Sequence, residues 1–335
     1  MLLRKHRGFI LIFILWVLAF LTILAVGVAA GIRQKIVLLE KLEQRSRINY
    51  LLEATVKYAT SYISNELSLA GQAYTIAFKS NLHNNAQVFG QFNLGGDNSS
   101  ISYTLPDQGE RFGVMDEERK ININVTNATI LARLIEKVLA EKSDVARELA
   151  ENILDWRQFG ESRTVGFFSK EYYSNLEYPY PKKDSSYETI DELLLVKGMT
   201  KERYEKFINY ITIYGMGQVN INTASAEVLY ALGLEDSLIE KILEVRQGKD
   251  RVEASEDDHV FLKTFDVAIE VNASIKLLPT EILAIDGLNR QNLLTTSSYY
   301  FSIKPQAHLA RKFFSKSVYV IISSRENKIV YWKER

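Results

Sequence analysis

A long, predominantly apolar stretch opens the chain. No charged residue occurs between Arg7 and Arg33, and the stretch runs from Phe9 through Phe13 to Ile32. Since a helix rises 1.5 Å per residue, this stretch is long enough to cross a hydrocarbon core of about 30 Å. The pattern predicts a membrane-spanning helix over residues 9–32.

The helical pattern continues beyond the apolar stretch. Neither proline nor glycine occurs between Arg33 and Gly71, and charged residues are interspersed with apolar ones. The apolar positions recur close to the helical period of 3.6 residues, at Ile36, Leu39, Leu42, Ile48, Leu51, Leu52, Val56, Ala59 and Ile63. We therefore expect one long helix that runs from the membrane into a soluble domain.

Three interpretations of this N-terminus are open. A signal peptide would explain the basic residues 4–7 and the small residues Val28-Ala29-Ala30, although such apolar regions usually span about 7–15 residues. A plain membrane anchor is the second interpretation. The third is a pilin-type helix cleaved after Gly8, which leaves Phe9 as the first residue. The helix expected beyond Arg33 favours the third, because a cleaved signal peptide gives no reason for it.

Alternating patterns and turn residues predict two β-rich segments. The first covers residues 73–124, with strands at 73–78, 101–105 and 112–115 and turns at 95–98 and 106–109. The second is C-terminal, with strands at 299–304, 317–322 and 328–332. Between them, residues 125–290 have predominantly helical patterns, for example at 130–156, 189–196, 201–211, 224–232 and 238–246.

This order predicts an α+β fold. A long N-terminal helix packs on an antiparallel sheet, and a large all-α domain is inserted between strands, an arrangement that folds tolerate when the ends of the insertion lie close together. The predicted segments are a cleaved basic leader (1–8), the transmembrane half of the helix (9–32), the first part of the α+β domain (33–124), the inserted helical domain (125–290) and the terminal strands (291–335).

Composition narrows the function. Lys and Arg together number 41, as do Asp and Glu, so the chain lacks the excess of basic residues that a general nucleic-acid surface needs. No cysteine is present, which excludes disulfides, thiolate nucleophiles and cysteine metal ligands.

Two related motifs precede predicted helices. Ile121-Asn-Ile-Asn124 and Val219-Asn-Ile-Asn222 are followed by Thr, Asn or Ser residues that are typical helix caps. They are either two ordinary caps or the starts of two related helical modules in tandem.

Residues 220–246 resemble a helix-hairpin-helix or SAM-like unit with a glycine turn at Gly233. The DNA-binding versions have a second glycine, whereas Glu235 and Asp236 stand in this turn and would repel phosphate. A second, more basic hairpin surrounds Gly198 with Lys201 and Arg203. We interpret both as packing units. The alternative is a membrane-anchored DNA receptor of a competence-type system.

No catalytic pattern is found, and we predict that the chain is not an enzyme. Its four histidines, His6, His83, His259 and His308, lie at no metal-ligand spacing. The acidic run before His259 is read as a solvated loop. The aromatic segment 159–187 is either a partner surface or a loop folded onto its own core.

These features together resemble the minor pseudopilin K family of type II secretion systems. The motifs fall in the order of that family: a basic leader ending at Gly8-Phe9, Trp16-Val-Leu-Ala19, Asp116-Glu117 before Ile121-Asn-Ile-Asn124, Ile153-Leu-Asp-Trp156, Glu192 to Met199, and Asn220 to Ser225. The resemblance covers nearly the whole chain.

The resemblance implies a subunit at the pseudopilus tip that helps to initiate and cap assembly during protein export across the outer membrane. Prepilin peptidase would cleave between Gly8 and Phe9, and the new amine of Phe9 would be methylated. The implied partners are the minor pseudopilins I and J, also H, the inner-membrane secretion platform and membrane lipid, with no nucleic acid. The implied location is the inner membrane of a Gram-negative bacterium, with the soluble domain in the periplasm.

Two further expectations follow from the resemblance. Most pilin-like subunits carry Glu at the position of Phe13, and an apolar residue there suits a subunit at the filament end, which lacks a neighbour to pair with the carboxylate. No cofactor is expected. Some family members bind calcium in the helical domain, but Asp155-Trp156 is followed here by Arg157-Gln158-Phe159, and no ligand set is identified.

Overall fold

A single helix of 63 residues, Arg7–Leu69, dominates the molecule. The computed structural model describes residues 7–69, 82–105, 109–158, 169–255, 257–310 and 314–334. At 1.5 Å per residue this stem helix is about 95 Å long. Residues 9–43 are exposed along its first part, and its last five turns pack on the sheet. The predicted continuous helix is confirmed.

The sheet that packs on the stem helix has eight strands, all antiparallel to their neighbours. The central order is β1-β2-β10-β11-β9-β4, with β12 beside β11 and β3 beside β2. The strands are β1 Phe92–Leu94, β2 Asp97–Leu105, β3 Gly109–Phe112, β4 Met115–Asp116, β9 Tyr300–Ile303, β10 Pro305–His308, β11 Ser315–Ser323 and β12 Lys328–Glu334. The terminal strands thus complete a sheet begun before the insertion, as predicted.

In the structure the inserted segment lies between β4 and β9, which is slightly longer than the predicted range 125–290, and it is built mainly of helices. They comprise Ala128–Leu139, Ser143–Arg157, Ser169–Ser174, Lys201–Phe207, Ala226–Ala231, Asp236–Gln247, Val267–Ser274 and Pro279–Arg290, with 3₁₀ segments Ile190–Leu195 and Thr264–Asp266. A short helix, Ala86–Phe89, precedes the sheet. Two parallel strand pairs also lie in the insertion: β5 Ile121–Asn122 with β6 Ile211–Thr212, and β7 Val219–Asn220 with β8 Leu294–Thr295.

Two separate hydrophobic cores stabilise the part of the molecule outside the membrane. One joins the stem helix to the sheet, with Leu52, Val56 and Phe301 fully buried. The other lies within the insertion, around residues such as Trp156 and Phe261. The insertion therefore has a core of its own, as an independent folding unit requires.

Several predicted elements differ in detail from the structure. The helix predicted over 130–156 is interrupted at Ala140, which adopts a left-handed conformation with φ 54°. The strand predicted over 112–115 is divided between β3 and β4, and residues 208–211 do not continue the helix predicted over 201–211. The strand predicted over 73–78 lies outside the described residues.

The insertion leaves the sheet at the end farthest from the membrane span. Arg47, on the stem helix, forms an ion pair with Asp97 at the start of β2. About five turns further along the stem, Ser64 donates a hydrogen bond to Asn327 in the turn between β11 and β12 (2.9 Å). Tyr300 pairs with Ser323 beside that turn, so the chain returns from the insertion at this distal end.

Candidate assembly stem and head junction

The predicted processing residues lie at the very start of the stem helix. Gly8 and Phe9 are in its first turn, and Phe13 lies one turn further on the same face. Phe9 and Phe13 are both exposed. By length and composition this helix can cross a membrane. Within it, the Thr22 hydroxyl donates to the carbonyl of Ala19 (2.8 Å), which satisfies the polar group inside the helix.

Apolar exposure continues past the predicted membrane span. Five exposed large apolar residues follow Arg33 on the stem: Ile36, Val37, Leu38, Leu39 and Leu42. We call this segment the bare stem. The apolar span before it already meets the length needed to cross a bilayer, so the bare stem is an exposed apolar surface beyond the predicted span.

Further along, the stem is fixed to the sheet. The residues that face the sheet are buried and follow the helical spacing: Ile48, Leu51, Leu52, Val56, Ala59 and Ile63. In the middle of this face Thr55 is hydrogen-bonded to Ser99 on β2 (2.5 Å) and donates to the Leu51 carbonyl (2.8 Å). This contact holds the stem in register with the sheet.

A buried polar network joins the sheet to the insertion. Asp116, on β4, accepts hydrogen bonds from Ser298 (2.6 Å) and Thr223 (2.7 Å). Both donors come from distant parts of the insertion, and the carboxylate is fully buried. Burying a carboxylate is costly unless it is hydrogen-bonded. Asp116 therefore fixes the orientation of the insertion relative to the sheet.

Glu117 adds a charged contact to this network. Its carboxylate accepts hydrogen bonds from Lys120 (2.7 Å) and Thr212 (2.7 Å), and Tyr319 on β11 donates to it (3.2 Å). Burial raises the pKa of Glu117, but the Lys120 ammonium and the hydroxyl donors outweigh burial, so the pKa is lowered overall. Glu117 is therefore held as a carboxylate that ties the insertion to β11.

Glu118 behaves differently from its neighbour. It accepts hydrogen bonds from the backbone N–H groups of Tyr299 (3.0 Å) and Tyr300 (3.1 Å), where the chain returns to the sheet. Burial, together with the charge of Asp116, raises the pKa of Glu118 to about 8. This residue therefore changes charge near neutral pH at the junction.

The two Asn-Ile-Asn motifs perform the same task in two modules. In each, the first Asn accepts a bond from the backbone N–H of the second: Asn122 from Asn124 (2.8 Å) and Asn220 from Asn222 (3.0 Å). The second Asn then forms a pair of bonds with one distant backbone residue. The side-chain amide of Asn124 donates to the Tyr187 carbonyl (3.0 Å) and accepts from the Tyr187 N–H (2.8 Å). Asn222 donates to the Phe261 carbonyl (2.9 Å) and accepts from the Phe261 N–H (2.8 Å) in the same way.

Each module also has an arginine that holds its Asn motif. Arg157 donates to the carbonyls of Ile123 and Thr126, and Arg246 donates to those of Ile221 and Ala224. The two carbonyl pairs are related by one offset, since 221 − 123 = 98 and 224 − 126 = 98. The parallel strand pairs β5–β6 and β7–β8 close the two modules in the same way. The motifs therefore mark two related helical modules in tandem, the second of the two readings that the sequence allows.

The hairpins pair their charges within the protein. Asp236, beside the Gly233 turn, accepts a hydrogen bond from Lys137 (3.0 Å). In the more basic hairpin, Arg203 forms an ion pair with Glu141 (2.7 Å). Neither hairpin presents an uncompensated cluster of basic charge, which phosphate binding requires. The interpretation as packing units fits these contacts.

A cleft of about 420 Å³ lies between the sheet and the insertion. The charged groups at its wall pair with one another: Lys120 with Glu117 (2.7 Å), Arg119 with Glu253 (3.7 Å), and Lys333 with Asp191. Of these pairs, Lys333 on β12 with Asp191 joins the sheet to the insertion.

Two of the histidines and part of the aromatic segment form contacts within the protein. His259 is hydrogen-bonded to Glu270 (2.5 Å), and the buried His83 ring contacts the Val114 carbonyl (2.7 Å). In the aromatic segment, Tyr173 and Tyr180 pack around Trp156. His6 and residues 159–168 lie outside the described residues.

Two groups of acidic residues are candidates for the calcium site that the family resemblance implies. Beside Asp155, the described oxygen atoms converge on the ammonium group of Lys182, so that place does not fit a metal ion. Asp250, Asp257 and Asp258 lie close enough together to hold an ion. Each already accepts a backbone hydrogen bond that shapes the loop, from Val252, Lys249 and Ala254 respectively.

A long N-terminal helix packed on an antiparallel sheet, with a large helical insertion between strands, is a pilin-like fold. The family model described as "Type II secretion system (T2SS), protein K" matches residues 106–216, which include the Asp116 junction and the first module. This part of the chain is therefore similar in sequence to the protein K family of type II secretion systems.

A solved structure shows that the chain as a whole has a known fold. The chain is similar to a chain in the crystal structure of the GspK-GspI-GspJ complex from the enterotoxigenic Escherichia coli type 2 secretion system, with a TM-score of 0.66 and 16% sequence identity. The similarity covers 88% of this chain and 98% of that chain. No curated protein sequence matches the chain.

Some functional side chains escaped the sequence analysis. The roles of Glu118, Arg157 and Lys182 become visible only in three dimensions, because each acts on residues distant in sequence. The repeated Asn-Ile-Asn motif indicates two paired modules, but Arg157 and Arg246 are 89 residues apart, so the offset of 98 residues between the motifs does not locate the two arginines.

Proposed function

We propose that the chain is the tip subunit of the pseudopilus and helps to initiate and cap its assembly for protein export across the outer membrane. The observation that carries the proposal is the division of the stem helix. Residues 9–43 are exposed, and the face of the stem from Ile48 to Ile63 is packed on the sheet. One helix therefore offers an apolar surface to lipid and partners and also carries the sheet with its insertion, which we call the head. This role requires no cofactor.

The bare stem supports assembly with other pseudopilins. Its exposed apolar residues would be covered by neighbouring stem helices just outside the bilayer. The similar chain described above was solved in a complex with GspI and GspJ. By analogy we propose the minor pseudopilins I and J as direct partners, with H joining them on the inner-membrane secretion platform.

Position at the tip is supported by the place of the insertion. The insertion leaves the sheet beside the Ser64–Asn327 contact, away from the membrane span. A bulky domain there would cover the end of a filament. Phe13 agrees with this position, because an apolar residue needs no neighbour to neutralise it in the membrane.

We further propose that prepilin peptidase cleaves between Gly8 and Phe9 and that the new amine of Phe9 is methylated. Arg4, Lys5 and Arg7 favour a cytoplasmic leader under the positive-inside bias, which places the head in the periplasm.

Mass spectrometry of the mature N-terminus tests this proposal. The chain would be expressed in cells with and without prepilin peptidase and purified from membranes. We expect a methylated Phe9 terminus only when the peptidase is present. A chain that still begins at Met1 in the presence of the peptidase, or one that begins at Gly31 after a signal-peptide cut, would contradict the proposal.

A second measurement separates assembly from processing. Full-length chain co-expressed with the minor pseudopilins I and J would be captured in detergent, and recovery of the complex would be measured. We expect a complex that is weakened when Leu39 in the bare stem is replaced by a charged residue. Equal recovery of both versions would contradict the role of the bare stem even if processing occurs at Gly8.

A further inference from the structure

Lys182 is a fully buried lysine in a polar setting. Its side chain is 0% exposed, and its Nζ lies 3.2 Å from Asp155 Oδ1 and 3.0 Å from Asp184 Oδ1. It also donates to the carbonyl oxygen of Gln158 (3.0 Å). Lysine is almost never fully buried unless it is paired. Three oxygen atoms from three chain positions thus converge on one positive charge.

The surrounding backbone is arranged for a cation. Asp155 and Gln158 lie at the C-terminal end of the helix Ser143–Arg157, where the helix dipole favours positive charge. Asp184 has a left-handed conformation (φ 55°), and its N–H donates to the Trp156 carbonyl (3.1 Å). Hard oxygen ligands from carboxylates and a carbonyl are the set that calcium prefers.

The second module lacks this lysine. Asp184 precedes the anchored Tyr187 by three residues, and Asp258 precedes the equivalent Phe261 by three residues. Two residues before Asp184 stands Lys182, whereas two residues before Asp258 stands Glu256. Lys182 is therefore not part of the sequence pattern that the two modules share.

We propose that the Lys182 ammonium occupies a cation site in the first module, so that this module is complete without a divalent ion. The inference goes beyond the assembly role and does not depend on it. Two carboxylates and one ammonium carry a net charge of −1. Without the ammonium, two carboxylates and one carbonyl remain, and Ca²⁺ would neutralise them, with water filling the other ligand positions.

The test compares two substitutions that differ in the space they leave. Lys182→Ala removes the charge and opens a cavity, while Lys182→Met removes the charge but fills the cavity with an apolar chain. Lys183→Ala is the matched control, since Lys183 is adjacent and pairs with Glu192 (2.8 Å) outside this site. The full chain in detergent micelles would be melted in EDTA and in millimolar CaCl₂.

We expect both Lys182 variants to melt below the unchanged protein in EDTA. Calcium should raise the Tm of Lys182→Ala by about 3–6 °C at ten times Kd, beyond any shift in the unchanged protein. Lys182→Met and Lys183→Ala should shift only as the unchanged protein does. Equal calcium shifts in Lys182→Ala and the unchanged protein would overturn the proposal.

Terbium luminescence keeps the proposal testable if the Lys182→Ala variant does not fold. Trp156 follows Asp155 directly and would sensitise Tb³⁺ bound at this site. We expect no luminescence that depends on Asp184 in the unchanged protein. A signal from the unchanged protein that is lost in Asp184→Asn would show that the ammonium does not exclude a metal ion, and would refute the inference.

Discussion

Glu118 links the protonation state of one side chain to the stability of the head. Its folded-state pKa is about 8, while an unperturbed Glu titrates near 4.3. Because the folded state holds the proton more tightly, the contribution of Glu118 to the free energy of unfolding is fully present below about pH 4.3. It is lost as the pH rises through about 8. The free energy of unfolding should fall with pH in this window.

The variant Glu118→Gln should flatten this dependence. The slope attributed to Glu118 is at most about 1.4 kcal/mol per pH unit between its unfolded and folded pKa values. Gln resembles the protonated carboxyl group, which also has one strong acceptor oxygen, so the variant should match the unchanged protein at low pH and lose less stability as the pH rises. Denaturant unfolding at a series of pH values would measure both effects. A variant with the same slope as the unchanged protein would contradict the raised pKa.

Phe13 carries the prediction about position in the filament. An unpaired carboxylate costs about 2.5–3.5 kcal/mol at the centre of a bilayer on insertion scales, and less near the end of the span, where Phe13 lies. Phe13→Glu should therefore reduce the recovery of a complex with the minor pseudopilins I and J, and reduce secretion. Phe13→Leu is the matched control and should leave both unchanged. If Phe13→Glu leaves recovery of the complex and protein secretion at normal levels, Phe13 does not support a tip position.

Single side chains also show what a sequence can and cannot predict. Asp116 and the two Asn motifs stand out in the sequence, but their partners, such as Ser298 and Tyr187, do not. Lys182 lies in a segment rich in proline and tyrosine, where lysine is expected in solvent. Its burial depends on Asp155 and Asp184, which only the folded chain brings together.

The stem helix combines two surfaces of opposite character in one element. Leu52 is 0% exposed against the sheet, whereas Leu39 is 64% exposed on the bare stem. Leu52→Ala should lower the free energy of unfolding of the head by about 2–5 kcal/mol, since it leaves a cavity. Leu39→Ala should change it by less than about 0.5 kcal/mol.

Denaturant unfolding of the two variants in detergent would measure this contrast, with recovery of the partner complex as a second readout. Leu39→Ala should weaken the complex without weakening the head. Similar losses of stability in both variants would show that the bare stem packs on its own head.

Elements with strong local signals are the ones that the sequence predicts well. The stem helix and the strands β9, β11 and β12 follow clear periodic patterns. Strand β10 was missed because it starts with Pro305 and forms through pairing with β2. The helix break at Ala140 was missed because neither glycine nor proline marks it.

At the scale of the whole molecule, the pairing of charges distinguishes the proposed structural role from the alternative of a DNA receptor. Positive and negative residues are equal in number, and Arg203 is paired with Glu141. The full chain in detergent should therefore show no salt-dependent affinity for duplex DNA in fluorescence anisotropy. Tight binding that falls steeply with salt and disappears in Lys201→Ala with Arg203→Ala would support the DNA-receptor alternative.

The insertion can be exchanged because its two ends are neighbours. Asp116 on β4 pairs directly with Phe301 on β9, and paired antiparallel strands lie within about 5.5 Å at the Cα atoms. A turn of two to five residues is enough to connect such strands. The sheet could thus be closed into a short hairpin, or could accept the insertion of a relative. Either change removes Thr223 and Ser298, which donate to Asp116, so Asp116 has to be replaced as well. The distal end of the sheet is therefore a site where a different domain can replace the insertion while the stem helix and the sheet stay the same.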